Sequence, residues 1–351
     1  MTEAGPKVLV VKLSSLGDVV HTFPAVTDAL RAVPGLTLDW AVEEAFVPLV
    51  ALHPGVRRVI PVPLRRLKKA PRAAWRSGEA GAVRAALRSE AYDLVIDAQG
   101  LMKSAVVALT ARGRRHGFDR ATAREGMASL AYSARHHLPE TEHMAVRIRR
   151  LFAAALGYSL DGLPEDAGLV PTGSAPPGPP YWVFLHGTTW PTKTWTVRHW
   201  RELAMRADRA GRRVLVFAQG AAEEARAAAI AADLPGVELA PPLGLDRIAP
   251  LLAGAEAVVT VDTGLGHLAA ALGVPTVGLY GPTNPHLTGL FGPKVLELKS
   301  MRPCAPCERQ RCRIAPDTVE GPPCLLDFKA RDAWRAVSLI RYGHADAMDK
   351  L

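Results

Sequence analysis

Short apolar runs recur along this chain at intervals long enough to hold a helix, stop at a stretch of prolines and glycines, and then begin again. "KVLVVK", "LTLDWAVE", "RRVIPVP" and "YDLVIDA" form the first series; "YWVFLHG", "RRVLVFA", "GVELA", "AVVTVD" and "TVGLYG" form the second. Runs of this length read as strands, and strands alternating with helix-length stretches pair in parallel with both faces covered. Between the series, residues 161–180 ("DGLPEDAGLVPTGSAPPGPP") lack apolar periodicity and read as a linker. The expected architecture is α/β, with two Rossmann-like domains in tandem: 1–160, then the linker 161–180, then 181–330. Residues 331–351 are expected to form a C-terminal helix packing back on the N-terminal domain. At 351 residues and 48% hydrophobic content, the chain is long enough for two cores.

In tandem sheets of this kind the site is expected in a cleft where strand carboxyl ends face each other, so chemistry-bearing residues should follow strands. No G-x-G-x-x-G follows a strand and no G-x-x-x-x-G-K-[ST] occurs, which counts against dehydrogenases and P-loop kinases. In "VLVVKLSSLGDVVHTFPAV", Asp18 stands where a strand passes into a helix, either as a cap or as a functional acid. In "VDTGLGHLAAAL", Asp262, Thr263 and Gly264 open an apolar helix whose first N–H groups can hold a phosphate. Asp262 would orient that turn or meet a sugar hydroxyl, and His267 reads equally as a core histidine or a ligand. After "YWVFLHG", Thr188, Thr189 and Lys193 make either a diphosphate clamp or a solvated loop. Glu223 and Glu224 begin a further helix and suit either a ribose diol or the helix dipole.

A net charge of +9 points to an acidic partner: nucleic acid, an anionic lipid surface or a phosphorylated substrate. Residues 45–78 contain no acid, yet hold Arg57, Arg58, Arg65, Arg66, Lys68, Lys69, Arg72 and Arg76. A second basic cluster comprises Arg112, Arg114, Arg115, His116, Arg120 and Arg124. Interleaved Leu64, Leu67 and Trp75 could touch lipid or line a buried helix face, and burial is favoured for Trp75. No run of eighteen apolar residues occurs and the N-terminus passes directly into a strand-like run, so a cytoplasmic protein is expected. All four cysteines, Cys304, Cys307, Cys312 and Cys324, lie in "CAPCERQRCRIAPDTVEGPPC". Structural zinc or iron and free thiols are equal readings, ahead of a disulfide.

Taken together, "VKLSSLGDVVHTFPAVTDA", "LDWAVEE", "VIPVPLRRLKK", "YDLVIDAQGLMKSA", "HGFDRATARE", "LFAAALGY", "FLHGTTWPTKTW" and "VDTGLGHLAAAL" resemble the type I lipopolysaccharide heptosyltransferases, in the ADP-heptose glycosyltransferase group. The resemblance runs from about residue 7 to residue 290. It implies a GT-B fold with an N-terminal acceptor domain and a C-terminal ADP-sugar domain. It further implies inverting transfer of L-glycero-D-manno-heptose from ADP-heptose to Kdo of Kdo-lipid A, with no cofactor required for catalysis. By the same resemblance Asp18 is the general base, and Thr188, Thr189, Lys193, Glu223, Leu243, Asp262, Thr263, Gly264 and His267 hold the donor. Ser15, Gly17, Arg65, Arg66, Lys68 and Arg124 are expected at the acceptor. The implied location is peripheral, on the cytoplasmic leaflet of the inner membrane, with no nucleic-acid partner. A protein O-heptosyltransferase sharing the donor, and a non-catalytic anionic-ligand binding protein, are the alternatives.

Overall fold

Both series of apolar runs become parallel sheets of the same winding. In a computed structural model describing residues 5–69, 77–173, 178–315 and 321–347, the chain divides into two units, Met1–Val170 and Pro171–Leu351. The first holds β1 (Lys7–Val11), β2 (Thr37–Glu43), β3 (Val56–Val62), β4 (Ala91–Asp97), β5 (Arg112–Phe118) and β6 (Ala134–His136), in the order β3-β2-β1-β4-β5-β6. The second holds β7 (Tyr181–Leu185), β8 (Arg213–Val216), β9 (Val237–Leu239), β10 (Ala257–Val261), β11 (Thr276–Tyr280) and β12 (Val295–Lys299), in the order β12-β11-β10-β7-β8-β9. Every neighbouring pair is parallel. The winding reverses between β1 and β4, and again between β7 and β10. At such a reversal the connections leave toward opposite faces and open a crevice above the strand carboxyl ends.

The helices used below are α1 (Leu16–Val20), α2 (Phe23–Ala32), α3 (Leu64–Lys69), α4 (Met102–Thr110) and α5 (Met144–Leu156) in the first unit. In the second they are α6 (Val197–Arg209), α7 (Ala221–Ala231), α8 (Leu245–Ala253), α9 (Gly264–Ala271) and α10 (Ala330–Ala347). Central strands are apolar throughout because both faces are covered: Val8 to Val11 and all of β7 and β10 are buried. The second core is rich in tryptophan, with Trp182, Trp195 and Trp200 buried together.

Four expectations are corrected. First, β5, β6 and β12 have no counterpart among the expected strands. β5 reads "RGRRHGF", a basic cluster by its sequence, and pairing with β4 and β6 overrides a pattern whose arginines hide the period of two. Second, residues 161–170 are not linker. The Val170 N–H donates to the Leu52 carbonyl, Arg31 pairs with Asp166, and Arg149 donates to the Leu163 carbonyl, so they belong to the first unit. Third, the C-terminal helix belongs to the second unit. Trp334 of α10 stacks on Trp182 at 4.9 Å, and Arg341 pairs with Glu256 at 2.7 Å. Fourth, Arg57 and Arg58 do not offer themselves to a ligand. Both pair with Asp39, which is fully buried on β2, at 2.8 and 3.1 Å. Arg72, Trp75 and Arg76, and the side chains of Leu67 and Lys68, lie outside the described residues.

Candidate functional site

At the first reversal, the two oxygens of Asp18 do different work. The loop after β1 enters α1 at Ser15, and Asp18 Oδ2 accepts hydrogen bonds from the Ser15 N–H at 2.9 Å and the Ser15 hydroxyl at 2.8 Å. That is the capping role, a third-position carboxylate reaching back to the first residue of the helix. Oδ1 faces two cations, Lys12 Nζ and Arg124 Nη1, each at 3.9 Å. Burial opposes charge on Asp18, yet Lys12, the two Ser15 hydrogen bonds and Arg124 outweigh it and hold the carboxyl below its usual range. Of the two readings left open by the sequence, the cap is made by Oδ2, while Oδ1 lies beside Lys12 and Arg124 outside those cap hydrogen bonds.

Lys12 escaped the sequence reading. It ends the apolar run of β1 and is only 2% exposed, with Nζ donating to the Ala98 carbonyl at 2.9 Å after β4. Burial draws its pKa below the ordinary lysine value, against the pull of Asp18 and Asp97. Gln99 fixes the loop across the same reversal: its carbonyl accepts from the Leu13 N–H and its amide donates to the Ser14 carbonyl. Lys103 Nζ donates to Ser14 Oγ at 2.6 Å. The signal available was "YDLVIDAQG", which places polar groups just past the strand that flanks β1. Ser15 is exposed and Gly17 half-buried beside Asp18, so both lie at the acid.

At the second reversal, the loop after β7 meets the turn after β10. Lys193 ends a short turn, Pro191–Lys193, and its Nζ lies 2.7 Å from Asp262 Oδ2 and 4.3 Å from the centre of the Trp190 ring. His267, buried on α9, places Nε2 3.5 Å from Asp262 Oδ1. Burial alone would raise the Asp262 pKa, but His267 and Lys193 take it well below the usual carboxylate range. The pairing explains how an acid stands at a turn suited to phosphate: its charge is matched, and a lysine ammonium has three donors, two of them beyond the one Asp262 takes. Thr263 caps α9 in extended conformation, and no acidic side chain stands in the first turn. Gly266 is needed one turn in, since a Cβ there would lie 2.6 Å from Thr260 Oγ1 on β10. Thr188 Oγ1 accepts from the Trp190 N–H at 3.4 Å, and Thr189 is exposed on the same loop. Thr192 Oγ1 donates to the Arg309 carbonyl and pins that loop.

Glu223, rather than the exposed Glu224, joins this group. Its Oε2 accepts from the Gln219 N–H at 2.9 Å, and the carboxylate packs on Gly187, where a Cβ would fall 2.3 Å from Oε2. Gly187 is therefore a second residue the sequence reading missed. Leu243 lies elsewhere. It lines a cavity of about 770 Å³ with Arg213, Glu238, Leu239 and Arg247, and none of the other donor candidates lines that cavity.

Among the remaining basic candidates, Arg65 is exposed on α3, and Arg66 is paired with Glu44 and Glu79 at 2.8 and 2.5 Å. Among the described side chains of these candidates, Arg124, exposed and facing Asp18, is the one that reaches the acid. The tail cysteines gather at the end of β11. The N–H groups of Cys307 and Glu308 both donate to the Pro282 carbonyl, and Cys324 Sγ packs on Gly281. Burial, with the other three thiols adding to it, pushes Cys324 up to about 11. Among the described residues no three His, Cys, Asp or Glu side chains are arranged to hold a metal, so of the two equal readings the structure supports free thiols and offers nothing for zinc or iron.

Two doubly wound parallel sheets in tandem are the architecture of the GT-B class of glycosyltransferases. Residues 80–316 match glycosyltransferase family 9 (heptosyltransferase), and the chain belongs to that family. A lipopolysaccharide heptosyltransferase 1 of Pseudomonas aeruginosa is 49% identical over 326 residues, 92% of this chain and 91% of its own. The E. coli heptosyltransferase WaaC solved with ADP is 44% identical with a TM-score of 0.79, over 84% of this chain and 93% of that one. The same E. coli protein solved with ADP-2-deoxy-2-fluoro heptose is 43% identical with a TM-score of 0.76, over the same shares.

Proposed function

We propose that this enzyme moves L-glycero-D-manno-heptose from ADP-heptose to Kdo of Kdo-lipid A, with inversion, in synthesis of the lipopolysaccharide inner core. The observation that carries the reading is the division at Asp18: one oxygen fixes the helix start while the other stays beside two cations, outside those hydrogen bonds. The high identity to a lipopolysaccharide heptosyltransferase 1 supports the substrate pair.

In this reading Asp18 Oδ1 takes the proton of the Kdo hydroxyl as that oxygen bonds to the anomeric carbon. The bond from that carbon to the β-phosphate oxygen breaks on the opposite side and ADP departs with the electron pair. ADP leaves as an anion and needs no proton. Lys193, the hydroxyls of Thr188 and Thr189 and the N-terminus of α9 at Thr263 and Gly264 stabilise it, an electrostatic contribution of about 3–4 kcal/mol per well-placed donor. Asp262 and His267 hold Lys193 and the turn in place, and Glu223 takes the ribose hydroxyls. The cavity that Leu243 lines, apart from the other donor candidates, is the proposed place for the adenine. Ser15, Gly17 and Arg124, with Arg65, Arg66 and Lys68, receive the anionic acceptor. The transfer uses no metal, and the enzyme works at the cytoplasmic face of the inner membrane.

Purified enzyme mixed with ADP-heptose and Kdo-lipid A should release ADP and raise the lipid mass by one heptose. Asp18→Ala should abolish turnover while leaving the Kd for ADP-heptose within about twofold. Absence of transfer with active controls would overturn the substrate assignment, and normal turnover by Asp18→Ala would overturn the base.

A further inference from the structure

Helix α4, "MKSAVVALT", is apolar on two sides. Ser104, Ala105, Val107 and Ala108 are buried, as a helix covering a sheet requires. Met102, Val106 and Leu109 are 45%, 58% and 52% exposed, and their spacing of four and three residues puts them in one outward stripe. The adjoining 3-10 turn, Gly126–Ala131, packs on α4 through Ala105, Ala128 and Ala131 and extends the stripe with Met127 and Leu130, 56% and 64% exposed. Among the described residues of the first unit, Val170 is the only other large apolar side chain with comparable exposure.

Basic residues stand around this stripe. Lys103 is on α4 itself, and exposed Arg112 follows its end. The Arg120 backbone packs on Gly126, and Arg135 Nε donates to the Ser129 carbonyl inside the turn. Two acids stand nearby and keep their charge, Glu125, which accepts from the Met102 N–H, and Asp119, hydrogen-bonded to His137, so the four cations outnumber them.

We propose that the α4 stripe and the 126–131 turn form a docking surface for a bilayer containing anionic lipid. Protruding aliphatic side chains with cations on the same and adjoining segments match an interface of acyl chains beneath negative headgroups. A second copy of the chain fits less well, since a two-fold contact would bring the two sets of cations together. No described helix is long and apolar enough to cross a membrane, so the contact is superficial. Lys103 joins this surface to the Asp18 loop through Ser14, so a lipid-borne acceptor would meet the acid at the patch edge. That last point rests on the acceptor proposed above, while the docking itself does not. The surface uses none of the residues of the "LRRLKK" segment, where Arg66 is held by Glu44 and Glu79.

The test is co-sedimentation of the full chain with vesicles of phosphatidylethanolamine and phosphatidylglycerol (7:3), and with phosphatidylcholine alone. The comparison variant is Val106→Glu/Leu130→Glu; both positions are solvent-facing, and its thermal unfolding is checked against wild type. Wild type should bind the anionic vesicles, bind phosphatidylcholine at least tenfold less, and lose binding to the anionic vesicles about tenfold in the double variant. Transfer to a water-soluble Kdo acceptor should be unchanged in that variant, and transfer to acceptor embedded in vesicles should fall. Equal vesicle binding by variant and wild type, or none by either, overturns the proposal. So does a wild-type dimer in sedimentation velocity that the variant converts to monomer, which would give the surface to a second copy. Patch-dependent binding by a protein without transfer activity would overturn the substrate reading alone.

Discussion

The ammonium of Lys12, buried at the end of β1, lies 3.9 Å from Asp18 Oδ1. It holds the acid as a carboxylate in a place where burial alone would favour the protonated form. Lys12→Met should therefore move the acidic limb of the kcat/KM profile to higher pH. At pH 7 kcat should fall about tenfold, equivalent to ~1.4 kcal/mol, with donor affinity unchanged. The stability sign follows from the same shift. A carboxyl whose folded pKa is depressed contributes stability above its unfolded value, and that contribution is lost as pH falls toward the folded value. Wild type should thus lose more stability than Lys12→Met on acidification below about pH 4. An unmoved acidic limb would remove Lys12 from the argument.

Lys193 and Asp262 form the corresponding pair in the second unit, nearly buried and 2.7 Å apart. Lys193→Ala removes the proposed phosphate donor and leaves Asp262 with His267. ADP affinity measured by calorimetry should fall by about 1.5–3 kcal/mol, the range for hydrogen bonds to charged groups. Lys193→Arg should recover only part of this, because a planar fork does not replace a compact ammonium. Full affinity in Lys193→Ala would place the diphosphate elsewhere.

Gly187→Ala tests the position of Glu223. The new Cβ would meet Glu223 Oε2 at 2.3 Å, and the flexible end of that side chain would swing aside. Thermal stability should change little, whereas ADP affinity should drop to the level of Glu223→Ala. If Gly187→Ala binds ADP like wild type while Glu223→Ala does not, the close approach is unimportant for binding.

The four thiols should react unequally. Cys304 is exposed, whereas Cys324 is buried and raised to about 11, so little of it is thiolate near neutrality. With iodoacetamide at pH 8, mass spectrometry of the native protein should show Cys304 modified first and Cys324 last. Reaction of Cys324 ahead of Cys304 would contradict the packing on Gly281.

Much of the fold was legible because its signals are local. Every run taken as a strand is one, and Asp18, Lys193, Asp262 and Glu223 all stand beyond strand ends, where the alternation placed them. The strands that were missed, such as β5 with its three arginines, owe their state to neighbours rather than to their own pattern. Charge misled for a related reason. Arg57 and Arg58 read as a binding surface until Asp39, 18 and 19 residues earlier, was seen to face them from β2.

The sequence by itself determined two α/β units with nine of the twelve described strands, the turns after β1, β7 and β10, and the chemical types standing there. Periodicity, glycine and cap residues act through the backbone of a few consecutive residues, so a linear reading recovers them. Only the tertiary structure decided which charges meet: Lys12 with Asp18, Glu223 beneath Gly187, and Arg57 and Arg58 on a buried acid. Those contacts are made where the ends of separate strands come together. Ion pairing and burial depend on distance in space, and distance in space leaves no period in the chain.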